Sequence, residues 1–149
     1  MEMNEKVLEE LIRKVILNEL EKNGKKEIKF MDKSGIGVIK AQEIERERFD
    51  TGNPNDEVYV TDLFNLTESP RMGAGMMEMI KSAFDWTLNY DEIDYIIEGR
   101  LEIEIDGRKI VGEKGDVMVI PKNSSITFSA PEYAKFVYVV YPANWQEQQ

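Results

Sequence analysis

The chain contains neither histidine nor cysteine. Imidazole and thiolate are the usual protein ligands for iron, nickel, copper and zinc. A tightly held transition metal is therefore not expected, nor the oxygenase or isomerase chemistry that such metals support. The same absences exclude disulfides and iron–sulfur clusters and remove the commonest general base. Positive charge is also scarce: 19 Lys and Arg stand against 29 Asp and Glu, a net charge of −10. Nucleic-acid backbones and anionic membrane surfaces call for clustered Lys and Arg, so neither is an expected partner. No apolar run reaches the roughly 18 residues needed to cross a bilayer, and no secretory h-region follows Met1. A cytoplasmic protein is expected.

What is present is ordinary for a soluble domain: 149 residues, 42% hydrophobic and 32% charged. One domain of this length buries about two thirds of its unfolded surface. Residues 4–22 carry Val7, Leu8, Leu11, Ile12, Val15, Ile16 and Leu20 at helical spacing, with Asn4 as N-cap and Gly24 as the stop. Residues 23–35 are rich in Lys, Glu and Gly and read as a linker. From Ile36 the helical period disappears. Short β-rich runs take over at 36–40, 58–64, 76–80, 84–88, 93–97, 101–105, 109–111, 117–120, 126–128 and 136–141. Leu101, Ile103 and Ile105 alternate with Glu102 and Glu104, so one face of that strand is wet. Asp106-Gly107 suits a two-residue hairpin turn. The expected organisation is an amphipathic helix over 1–22, a linker over 23–35 and an all-β domain over 36–149. That domain is expected to be a single antiparallel β-barrel of the jelly-roll kind. Gly73-Ala74-Gly75 is too short for a phosphate-binding loop and reads as a close turn needing positive φ. Met72, Met76, Met77 and Met79 read as core filler.

More specific strings stand in the middle and at the end of the chain. Glu92 lies six residues before Glu98-Gly99, and Gly115 opens a Gly-x5-Pro segment closing at Pro121. This spacing resembles the cupin frame. The run Trp86-Thr87-Leu88-Asn89-Tyr90-Asp91-Glu92-Ile93-Asp94 and the closing Tyr141-Pro142-Ala143-Asn144-Trp145 resemble the EutQ family of ethanolamine utilisation, within the cupin superfamily. The resemblance implies a cupin barrel and dimerisation. It also implies a place in the ethanolamine metabolosome, a bacterial microcompartment, and acetate kinase activity with ATP and ADP as substrates. Cupins place histidines before the glutamate and after the proline. Here the position five residues after Pro121 is Ile126, so the standard cage for Fe, Ni, Cu or Zn is absent.

If Glu92 points inward as its cupin counterpart does, strand alternation turns Asp94 and Ile96 inward as well. Two carboxylates at the barrel mouth suit Mg2+, which binds through one or two carboxylates, waters and substrate phosphates. The alternative is a pair of hydrogen-bonded structural carboxylates. Glu92, Asp94 and Tyr90, the last on the adjoining turn, form the candidate catalytic group. Trp86 and Lys122 are candidate substrate-pocket residues, while Tyr95 should point away and pack elsewhere. The helix over 1–22 is either a structural cap or an encapsulation peptide that lays its apolar stripe on a microcompartment shell or cargo protein. Three function classes follow: a magnesium-dependent acetate kinase, a non-catalytic degenerate cupin acting as cargo or assembly protein, and a small-ligand sensor.

Overall fold

The structure, a computed structural model, describes residues 4–24 and 27–148. Side chains at 22–24 are outside that description. So are the parts of the expected segments at residues 1–3, 25–26 and 149. Helix α1 spans Glu5–Gly24. Asn4 opens it, its side-chain oxygen accepting from the Lys6 N–H at 3.2 Å and its carbonyl accepting from Val7 and Leu8. The apolar stripe of α1 remains exposed, from 42% at Leu8 to 62% at Leu20. The helix is thus capped by Asn4 and does not bury its apolar stripe against the β domain.

Part of the expected linker is structured. Strands β1 (Lys29–Met31) and β2 (Gly37–Ile39) form an antiparallel hairpin. Asp32 and Ser34 side chains hold its turn by accepting from the backbone. Lys29 anchors the hairpin to the domain through Glu68 at 2.8 Å.

The domain is built from β3 (Glu57–Asp62), β4 (Gly73–Leu88), β5 (Asp91–Ile105), β6 (Arg108–Glu113), β7 (Val117–Ile120) and β8 (Ser124–Tyr141). All pairings are antiparallel, in the order β3-β4-β8-β5-β6, with β7 on β5. Two features depart from expectation. First, runs read as separate strands are continuous: β4, β5 and β8 are 16, 15 and 18 residues long. Register shifts mark bends where the strand continues instead of breaking, at Ile80/Ser82 on β4 and at Ile96/Glu98 and Gly99/Glu102 on β5, both against β8. A bulge curls a strand without ending it, and a sequence pattern that loses phase there reads as two strands. Second, the described ladder does not close: β3 and β6 are its ends. The roll is a jelly-roll held by packing across its interior and not a barrel closed by hydrogen bonds.

The Asp106-Gly107 turn forms as expected, both residues at positive φ (49° and 75°), with Ile105 facing Arg108. Gly73-Ala74-Gly75 is not a turn. It opens β4, and neither glycine has positive φ. Its glycines answer a steric need, since a Cβ on Gly75 would lie 2.0 Å from the Tyr138 ring. Among the methionines, Met76, Met77 and Met79 are buried as expected, whereas Met72 is exposed. The core runs along the inward faces of the long strands. Phe84, Phe128 and Phe136 stack in series with centroids 5.4 and 6.3 Å apart.

Gly99 sits at the bend of β5 with φ of 79°, and a Cβ there would come within 2.1 Å of the Tyr133 carbonyl oxygen. Both the backbone conformation and the close approach require glycine. Gly99→Ala is expected to lower stability by at least about 2 kcal/mol, seen as a fall in thermal midpoint of roughly 5 °C or more. An unchanged midpoint would show that the bend tolerates a side chain.

Candidate active site

The first half of β5 pairs on both flanks. Glu92 faces Val140 of β8 and Ile120 of β7, and Asp94 faces Tyr138 and Met118. These two residues are thus fixed in the middle of a three-strand ladder. Burial alternates strictly along 91–96, with Glu92, Asp94 and Ile96 inward and Asp91, Ile93 and Tyr95 outward. The expected facing of all these residues is observed.

Glu92 is 4% exposed and Asp94 is 0% exposed. Tyr90, on the turn between β4 and β5, is buried, and its hydroxyl accepts from the Trp86 Nε1–H at 2.8 Å. Trp86, Tyr90 and Glu92 line one interior cavity with Tyr138, Trp145 and an apolar floor that includes Phe49, Phe84 and Phe128. The cavity measures ≈ 20 Å³, room for about one water. The Trp145 centroid lies 6.1, 5.7 and 6.3 Å from those of Trp86, Tyr90 and Tyr138. Tyr138 turns its hydroxyl outward and donates to Asp62 Oδ1 at 3.1 Å.

Lys122 does not join this group. Its side chain is exposed, and its backbone N–H donates to Asp91 Oδ1 at 2.8 Å. No Lys or Arg lines the cavity. Sequence reasoning missed Tyr138, Phe49 and the wall role of Trp145. Tyr138 alternates inward on β8 with Phe136 and Val140, a signal that was present. Phe49 comes from an irregular segment, and no local pattern points to it.

Burial first, then the charge of Asp94, pushes the Glu92 carboxyl well above its ordinary range. Burial pushes Asp94 up to about 6. The two carboxyls are hydrogen-bonded to each other, and the pair resists holding two full negative charges. Burial, together with the nearby Glu92 and Asp62 carboxylates respectively, also raises the Tyr90 and Tyr138 phenols above their usual values. Neither Asp94 oxygen accepts a hydrogen bond of normal geometry among the described residues.

The transition metal of other cupins does not fit here. Ile126 is buried at the position expected for a ligand, and the described residues contain no group of three or more carboxylates able to hold a metal. A fully hydrated Mg2+ does not fit the cavity as it stands, because ≈ 20 Å³ lacks room for the several waters it retains. The chain's own groups offer a shared carboxyl proton, phenol and indole groups, and a largely aromatic wall.

The rolled antiparallel domain with this inward glutamate has the cupin fold. It superposes on the Schizosaccharomyces pombe Cnp3 cupin domain with a TM-score of 0.56 over 76% of this chain and 81% of that one, at 13% identity. The profile of the family described as ethanolamine utilisation protein EutQ matches residues 3–147, and the chain belongs to that family. A Clostridioides difficile protein named acetate kinase EutQ is 50% identical, covering 98% of this chain and 96% of its own length. The solved structure of the Clostridium difficile EutQ protein matches with a TM-score of 0.80 and 55% identity, over 82% of this chain and 91% of that one.

The raised carboxyl values fix the sign of a pH effect. A group whose folded pKa exceeds its unfolded value stabilises fully below the unfolded value, near 4, and that contribution is lost as pH rises through the folded value. For Asp94 the loss runs from about 4 to about 6. Glu92 extends it to higher pH. The double variant Glu92→Gln, Asp94→Asn is therefore expected to be more stable than the parent at neutral pH, by about 2 kcal/mol or more. The advantage should vanish below pH of about 4. Urea unfolding at several pH values measures it. Parallel pH profiles for the two proteins would mean the pair is not strained by burial.

Proposed function

We propose that this protein is an acetate kinase of ethanolamine utilisation, interconverting acetyl phosphate and ADP with acetate and ATP. The name of its C. difficile relative supports this reading. One observation in the chain carries it: the buried Glu92 carboxyl and the Tyr90 phenol line one cavity, with the buried Asp94 carboxyl two residues along the same strand but outside the cavity lining. In the forward direction a terminal phosphate oxygen of ADP forms a bond to the transferred phosphorus as the bond to the acetate oxygen breaks. Such transfers rely on positioning and charge neutralisation more than on covalent catalysis. Acetate is itself the nucleophile in reverse, so the lack of histidine is no obstacle. Glu92 and Asp94 would meet the Mg2+ that accompanies the nucleotide phosphates only with the cavity opened, since hydrated Mg2+ does not fit it as it stands, and Tyr90 is assigned to orienting the acyl group. The cavity of ≈ 20 Å³ is too small for either substrate, so turnover requires its lining to rearrange.

Purified protein is expected to form ATP from acetyl phosphate and ADP only with Mg2+ present. Glu92→Gln should reduce the rate at least about a hundredfold. Absence of ATP formation would sink the assignment, and an undiminished rate in Glu92→Gln would remove these carboxylates from it.

The exposed stripe of α1 favours a second role, which operates alongside catalysis or replaces it. We propose that residues 1–22 recruit a shell or cargo protein of a bacterial microcompartment through that stripe. Pairing of two copies is also proposed. Ile93, Tyr95, Val117 and Val119 are all exposed on neighbouring strands and form an apolar patch on the outer sheet face. Deleting residues 1–22 should leave the thermal midpoint of the β domain within about 2 °C of the parent, and a reporter carrying residues 1–22 should co-purify with shells. A large loss of stability without shell association would make the helix a structural cap.

A further inference from the structure

The kinase reading needs a place for ADP, and the inner cavity does not supply one. It measures ≈ 20 Å³, and no Lys or Arg lines it. Nucleotide phosphates are held by cations, and ligands of that size occupy clefts of roughly 300–1,000 Å³. In a chain with a net charge of −10, few surfaces meet both needs. Three outer clefts fail on one count or the other. One of ≈ 450 Å³ carries Asp62 and Glu147, and one of ≈ 380 Å³ carries Asp116, and neither is lined by Lys or Arg. The third, where Arg46 and Lys135 stand, holds ≈ 70 Å³. Its Arg46 is already engaged by Glu78 at 2.9 Å and by the Tyr59 ring at 4.0 Å.

A fourth cleft, of ≈ 560 Å³, has both room and positive charge. Strand register sets Asp85 of β4, Thr127 of β8, Glu104 of β5 and Lys109 of β6 in one row along it. Arg108 follows the Asp106-Gly107 turn and lines the same cleft. Its acidic neighbour Asp106 stands 3.8 Å away, and the two side chains are 68% and 78% exposed. The guanidinium therefore keeps its fork of donors for a ligand. Lys109 is positioned by Glu102 at 3.2 Å. Of the acids in the cleft, Asp85 already accepts from the Thr127 hydroxyl at 2.6 Å, and Glu104 lies 3.8 Å from Lys109.

Trp86 lines both this cleft and the inner cavity, where Tyr90 and Glu92 stand. We propose that the cleft is the docking site for a nucleoside diphosphate, its phosphates bound by Arg108 and Lys109, with Trp86 as the partition between the cleft and the Glu92 wall. The mixture of groups suits a nucleotide better than inorganic phosphate. Ribose hydroxyls donate as well as accept, and Asp85, Glu104 and Ser125 offer oxygens to them. Ile105 and Ile126 add apolar surface for a base. The choice of ligand rests on the kinase reading, while the place rests on the room and charge of the cleft.

Isothermal titration of the full-length protein with ADP and Mg2+ is expected to give a Kd on the order of 0.1 mM. Arg108→Ala and Lys109→Gln should each weaken ADP binding about tenfold or more, with thermal midpoints confirming that both are folded. Arg108→Lys should recover part of the loss. Lys114→Ala removes an exposed charge that does not line the cleft, and should shift Kd by less than about twofold. Where ATP formation is measured, KM for ADP should rise in the Arg108→Ala and Lys109→Gln proteins while KM for acetyl phosphate stays within about twofold of the parent. Absence of ADP binding, unaltered affinity in both variants, or an equal loss in Lys114→Ala would each overturn the proposal. ADP binding that depends on Arg108 and Lys109 without ATP formation would remove the kinase reading and leave the site. ATP formation with a KM for ADP indifferent to both residues would remove the site and leave the kinase reading.

Discussion

The arrangement of this molecule turns on the backbone ladder β7–β5–β8. Strand alternation gives β5 no freedom: with Ile96 in the core, Asp94 and Glu92 follow it inward. Hydrogen bonding on both edges keeps the strand from twisting the acids out to water. The domain therefore holds two carboxyls in an environment that penalises their charge, and backbone pairing and apolar packing must offset that penalty. The Trp86–Tyr90 bond and the close rings of Trp145 and Tyr138 are consistent with this, because they exclude water from the same space.

This constraint separates the protein from metal-binding cupins while leaving the fold intact. With Ile126 at the ligand position, the interior is a dry pocket with an acidic spot, not a coordination cage. The absence of imidazoles leaves no large void. Aromatic side chains fill the volume, and the remaining ≈ 20 Å³ lies against Glu92.

Much of this was legible in the chain. The β-domain, the Asp106-Gly107 hairpin, the α1 stripe and the inward triplet Glu92, Asp94 and Ile96 all follow from local periodicity and turn chemistry. The long bent strands were not legible, because a bulge shifts the phase of alternation and imitates a strand end, as at Ser82 and Gly99. The enclosure was only half legible. Trp86, Tyr90 and the acids are contiguous, but Phe49, Tyr138 and Trp145 arrive from far along the chain by way of the sheet register. Lys122 was misplaced for the same reason: nearness in sequence to Pro121 puts it on a solvent-facing turn, not in the wall.

Gly75 has a wider consequence. It touches no part of the cavity, yet the space above its Cα is where the Tyr138 ring lies. A methyl group at that position would have to displace the phenol, and the phenol stands between Asp62 outside and Trp145 within. The bore of the pocket is thus set from a neighbouring strand, by the smallest residue in the repertoire. Substitution at this one backbone position reshapes the pocket by moving a wall residue whose own identity is unchanged.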